Sequence, residues 1–158
     1  MQHVSIVGAH QKPLSETYVP YKNYEVNIQP HISGLESLLR DISTQDFGVD
    51  PDKVRIIYSG NNTFPYDERE QWTDSCNLLA LKDGVVVGYD RNERTIGVFK
   101  KMGFAIKNAA TLNEEISKGL VQAADIENTL ILLPSAELSR ARGGSHCMSQ
   151  PLLREKLP

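Results

Sequence analysis

The chain has 158 residues, 40% of them hydrophobic and 23% charged, with 11 glycines and 8 prolines. That length and balance suit one globular domain and exclude a disordered or fibrous chain. A formal charge of -3 leaves no basic face for DNA or RNA. The longest apolar run, around residues 129–133, is far too short to cross a bilayer, and no charged-then-apolar leader opens the chain, so the expected location is the cytoplasm.

Residues 3–9, with Val4, Ile6 and Val7, predict a strand, and residues 24–29 its partner, across a connection that holds Pro13 and Pro20. Pro30 then opens a helix in which Ile32, Leu35, Leu38, Leu39 and Ile42 share one face. Gly48, Asp50 and Pro51 end it, and residues 54–58 predict a strand running into a Ser-Gly-Asn-Asn turn. Residues 63–77 are polar and irregular in pattern, yet Phe64, Tyr66 and Trp72 predict a packed loop. The charge run at 67–70 reads as a solvated or salt-bridged face that gives support, not as a second catalytic carboxylate.

Two apolar runs, 77–81 and 85–89, joined by Lys82, Asp83 and Gly84, predict a β-hairpin, because Asp-Gly supplies the left-handed turn that such a connection needs. Asp90 is placed to cap the next helix, whose apolar positions include Ile96, Phe99 and Met102 and which Gly103 closes. Residues 104–107 predict a strand. Thr111 then caps a helix to Ala123, with Glu114 as capping-box partner and Leu112, Ile116 and Leu120 facing inward, before a buried strand at 129–133. Two successive groups of two strands, a helix and a further strand therefore emerge, at 4–58 and 78–133, without residue-level repetition.

Chemistry concentrates near the end. Two cysteines are too few for a disulfide framework and lack zinc-site spacing, so each is judged alone. Cys76 precedes an apolar strand and reads as small buried filler. Cys147 follows a polar double-glycine loop with Arg140, Arg142 and His146 nearby, a setting that favours thiolate over thiol. Gly143 and Gly144 let backbone pass close to a ligand, Arg142 offers a planar charged fork for a carboxylate, and Cys147 a soft nucleophile. Taken alone, the same residues fit equally well a solvated loop with turning glycines. His146 adjoins the cysteine, and neighbours in extended chain face opposite ways, which argues against a catalytic part for it.

Three segments in order give these residues a context: 69–74 (Arg-Glu-Gln-Trp-Thr-Asp) with Asn77 following, 84–92 (Gly-Val-Val-Val-Gly-Tyr-Asp-Arg-Asn), and 142–149 (Arg-Gly-Gly-Ser-His-Cys-Met-Ser) with Pro151 and Arg154 beyond. Together they resemble the C-terminal part of the arginine deiminase family, within the superfamily of guanidine-modifying enzymes that includes amidinotransferases. The likeness covers about residues 61–156, with a looser insert at 108–133. It implies an α/β fold, a partial five-bladed α/β propeller (pentein) of about two strand-strand-helix-strand units, near 1–60 and 61–158. It also implies hydrolysis of L-arginine to L-citrulline and ammonia through a cysteine thiolate and a covalent amidino intermediate, with no metal or organic cofactor. Cys147 would be the nucleophile, Arg142 the clamp for the substrate α-carboxylate, and Gly144 a backbone contact in the same loop.

The general acid and base of that family is a histidine in a His-x-Asp motif, aided by carboxylates that hold the guanidinium. None of His3, His10, His31 and His146 is followed two residues later by aspartate. The expectation is therefore a C-terminal piece, nearly inactive alone, since each missing group is worth orders of magnitude in rate. Its partners would be L-arginine and the N-terminal remainder of the enzyme, and incomplete blades with exposed edges would favour self-association. An amidinotransferase portion would use the same thiolate, and a non-catalytic relic or binding module would retain it without turnover.

Overall fold

The computed structural model describes residues 3–7, 34–134 and 143–152. The elements are β1 (His3–Val7), α1 (Leu35–Asp41), β2 (Val54–Tyr58), α2 (Tyr66–Trp72), β3 (Leu79–Lys82), β4 (Val85–Tyr89), α3 (Glu93–Lys101), β5 (Ala105–Asn108), α4 (Ala109–Ser117) and β6 (Thr129–Leu133). The chain is thus α/β, with a four-stranded mixed sheet in the order β3-β4-β6-β5 and a separate parallel pair, β1-β2.

The expected hairpin forms: β3 runs antiparallel to β4, Leu79 opposite Val87, with Gly84 at φ 72° in the turn. From β4 the chain crosses through α3 to β5 and through α4 to β6, so β4, β6 and β5 are parallel, with Tyr89 opposite Leu133 and Ala105 opposite Thr129. Both faces of this sheet are covered, which explains why its central strands read as unbroken apolar runs. On one face Leu130 and Val86 of the sheet pack with Phe99 of α3 and Phe104 just after it; on the other Val85, Val87 and Ile131 pack with Leu112 of α4. Phe99 and Phe104 meet edge to face at 5.1 Å. Ile57 of β2 is fully buried in the first of these clusters, and Arg55 Nη1 donates to the Met102 carbonyl at the end of α3 (2.7 Å), so β2 lies against α3.

Several expectations need correction. Residues 66–72 are a helix, not an irregular packed loop, and Phe64 (75%) and Trp72 (64%) are exposed. One member of the charge run, Glu70, is buried rather than solvated. Asp90 does not cap α3, which begins at Glu93 after Asn92. The predicted helix from Thr111 to Ala123 starts earlier and ends sooner: Asn108 Oδ1 accepts from the amides of Ala110 (2.9 Å) and Thr111 (3.3 Å), and only Leu112 of its three apolar positions is buried, Leu120 being 73% exposed. The helix predicted from Pro30 is described from Leu35 and widens at Ile42–Asp46 into a π turn, where Ser43 Oγ donates back to the Leu39 carbonyl at 2.6 Å. The strand predicted at 24–29 lies outside the described residues.

Candidate active site at the carboxyl edge of the sheet

The parallel strands β4, β5 and β6 end on one edge of the sheet, and antiparallel β3 begins there, which is where open α/β sheets place ligands. Four segments meet at that edge: the turn after α2, the start of β3, the end of β4 and the loop at 143–149.

The loop is anchored by Tyr89, which is 1% exposed at the end of β4. Its hydroxyl accepts from the Ser145 amide at 2.7 Å, and Gly144 lies buried against the same ring. A Cβ at 144 would collide with the Tyr89 hydroxyl, so only glycine lets the loop seat there. The Met148 amide donates to the Gly144 carbonyl (3.0 Å) and the Ser149 amide to that of His146 (3.1 Å), a tight turn that leaves Cys147 exposed at its tip.

Asn77, two residues ahead of β3, donates from Nδ2 to Cys147 Sγ at 3.3 Å. A backbone hydrogen bond from Gly144 is the larger influence on that thiol and Asn77 the next; together they hold it below the usual cysteine range against partial desolvation and the charge of Asp74. Cys76 is the opposite case. Burial is the main influence pushing its thiol up, with Ser75 opposing and the Asp74 charge adding. The thiolate is thus favoured at Cys147 and disfavoured at Cys76.

The turn that carries Asn77 is fastened on several sides. The Asn77 amide donates to the Asp74 carbonyl (3.1 Å) and the Ser75 amide to that of Glu70 (3.0 Å). Asn92 Nδ2 donates to the Thr73 carbonyl (3.0 Å), the Thr73 hydroxyl bonds Asn92 Oδ1, and Ser75 Oγ shares a 2.6 Å hydrogen bond with Ser59 Oγ at the end of β2. Beneath it, Glu70 accepts from the Arg94 amide (2.8 Å), the Thr95 amide (2.8 Å) and the Thr95 hydroxyl (2.7 Å), and so supplies the α3 N-terminus with the cap that its own flanking residues lack. Thr95 Oγ1 in turn accepts from the Gly60 amide at 2.9 Å. Two buried oxygens, Asp74 Oδ2 and Ser145 Oγ, have no partner among the described residues.

Of the residues singled out from sequence, Cys147 and Gly144 are brought together with Asn77 and Tyr89, and Arg142 lies outside the described residues. His146 is exposed and lines a different cleft, of about 570 Å³, with Leu78, Leu79, Ala80 and Ser149; Cys147 does not line it. Asn77 and Tyr89 both stand inside segments that carry the family resemblance, but their spacing in sequence, 70 residues in the one case and 56 in the other, announces neither contact. Among the described residues no three His, Cys, Asp or Glu side chains converge to hold a metal, and no helix is long and apolar enough to cross a membrane.

A thiol favoured as its anion by amide donors, at the carboxyl edge of an α/β sheet, makes this edge the candidate site of an α/β protein. The chain belongs to the arginine deiminase family, whose model, described as "Arginine deiminase", matches residues 3–154. Among the relatives it is similar to are arginine deiminases of Staphylococcus epidermidis (33% identical, 86% of this chain and 26% of the relative), Latilactobacillus sakei subsp. sakei (34%, 98% and 30%) and Borrelia garinii subsp. bavariensis (32%, 80% and 24%). The chain therefore spans less than a third of the length of these relatives, and is a fragment by comparison with them.

Proposed function

We propose that this chain is the cysteine-bearing C-terminal portion of an arginine deiminase, a hydrolase acting on a carbon–nitrogen bond of L-arginine. The observation that carries this reading is Cys147, exposed and drawn toward thiolate by Gly144 and Asn77, in a chain of this family. In the reaction the thiolate Sγ forms a bond to the guanidinium carbon, the C–N bond to one terminal nitrogen breaks, and that nitrogen takes a proton and leaves as ammonia. Water then adds to the carbon of the covalent amidino-thio intermediate, gives up its protons, and the C–S bond breaks to release L-citrulline and the thiolate.

Asn77 and the Gly144 backbone favour the thiolate before attack and accept it back as leaving group. Arg142 is placed in this reading as the clamp on the substrate α-carboxylate, and Gly144 as a backbone contact to substrate. The general acid and base and the main guanidinium-binding carboxylates belong to the remainder of the enzyme, with which these strands would complete a five-bladed α/β propeller. Neither metal nor organic cofactor takes part.

The test is citrulline release from L-arginine by three proteins: this chain, the chain extended by the coding sequence upstream of it, and the extended form carrying Cys147→Ala. Activity in the extended form alone, abolished by the substitution, is the expected result. Activity in neither parent would turn the assignment toward an amidinotransferase or a non-catalytic relic, and full activity in the short chain would overturn the division of the active site.

A further inference from the structure

Asp74, four residues beyond the charge run at 67–70, holds a position that the run does not. It stands in the turn between α2 and β3, three residues before Asn77, whose amide donates to the Asp74 carbonyl while its side chain reaches the Cys147 sulfur. Its backbone is left-handed, at φ 61°, a conformation held here by the Asp74 amide bonding to the Gln71 carbonyl (3.2 Å). One carboxylate oxygen, Oδ2, is buried with no hydrogen-bond partner among the described residues, and the buried Ser145 hydroxyl of the cysteine loop is in the same condition. A buried carboxylate oxygen without a donor is costly, and such groups in a functional site commonly await one.

We propose that Asp74 is a specificity-determining residue of this site, its free carboxylate oxygen receiving an N–H of the cationic guanidinium presented to Cys147. The proposal rests on the arginine-directed reading of the site and deepens it, because it gives this chain an acidic contact of its own in addition to those expected elsewhere in the enzyme. The charge of Asp74 is felt at the Cys147 thiol, which it opposes in ionising, so the two groups share one electrostatic environment. A carboxylate there works against a thiolate unless a cation comes between them; with a guanidinium bound, the same charge becomes favourable.

The experiment compares two alkylating agents of nearly equal size, cationic 2-chloroacetamidine and neutral 2-chloroacetamide. With each, Cys147 Sγ forms a bond to the CH2 carbon and chloride leaves. Rates are measured on the chain and on Asp74→Asn, with Cys147→Ala to subtract reaction at Cys76. Asparagine keeps the size of the side chain and tolerates φ 61° at least as well, and the neutral reagent reports whether the loop remains formed. The expected result is a preference for the cation in the parent that falls about tenfold in Asp74→Asn, with the neutral rate unchanged or slightly raised. A preference retained in Asp74→Asn, or both rates falling together, overturns the role of Asp74 and leaves the arginine-directed reading standing. No preference for the cation in the parent likewise overturns the role of Asp74, while the guanidinium reading, whose main carboxylates belong to the remainder of the enzyme, stands or falls by the citrulline assay on the extended form.

Discussion

At Cys147 the decisive chemistry comes from two neighbours of unequal visibility. Gly144 is three residues away and its backbone acts through a local turn, whereas Asn77 is 70 residues away and arrives only because β3 starts beside the loop. Both favour the anion, so the thiolate fraction at neutral pH exceeds that of an unassisted thiol and declines as pH falls through the lowered value. Asn77→Ala removes the charge-assisted donor and raises that value. The pH midpoint of Cys147 alkylation by iodoacetamide is therefore expected to move upward, with the rate at pH 7 falling several-fold. An unchanged midpoint would show that the 3.3 Å contact does not bear on ionisation. The identity of residue 144 has an equally local cause, because the Tyr89 hydroxyl occupies the space a side chain would take.

Among the elements, α3 illustrates how a helix can be started by a residue far from it in sequence. Its N-cap, Asn92, spends its side chain on Thr73, and Asp90 lies short of the helix, so the first-turn amides of Arg94 and Thr95 turn to Glu70 of α2. A carboxylate there satisfies donors that a helix leaves open and also complements the helix dipole. Glu70→Ala deletes three hydrogen bonds at a buried position and is expected to cost about 2–3 kcal/mol, read from urea unfolding. A loss below about 0.5 kcal/mol would mean that water replaces the cap at little cost. The same substitution loosens the turn that bears Asn77, since Ser75 and Thr73 bond the backbone at Glu70.

At the scale of the molecule, β2 joins what the sequence presents as two groups. Ile57 is fully buried among Phe99, Phe104 and Leu130, so the β1-β2 pair and the four-stranded sheet share a hydrophobic cluster through α3. Ile57→Ala is expected to lower stability by about 2–4 kcal/mol and to do so in a single unfolding transition, followed by circular dichroism and by tryptophan fluorescence from Trp72. Two separated transitions would show instead that the β1-β2 layer and the larger sheet melt as independent units. The exposed edge strand β3, with Leu81 at 57% exposure, and the exposed Leu120 and Leu152 give the fragment apolar surface, in keeping with a piece of a longer family member.

The sequence by itself determined the hairpin at Gly84, the buried strand at 129–133 and the family, because these depend on short-range turn chemistry, on unbroken apolar runs and on residues adjacent in the chain. It also singled out Cys147, although one of the two donors that favour its anion, Asn77, lies 70 residues away. The tertiary structure alone decided that α2 is a helix, that Glu70 rather than Asp90 caps α3, that Leu120 faces outward, and that Asn77, Tyr89 and Asp74 surround the cysteine loop. Each of these depends on which distant segments meet when β3, β4 and β6 align their ends. A carboxylate in a charge run or an asparagine before a strand has no distinguishing pattern until burial and a partner across the fold give it one.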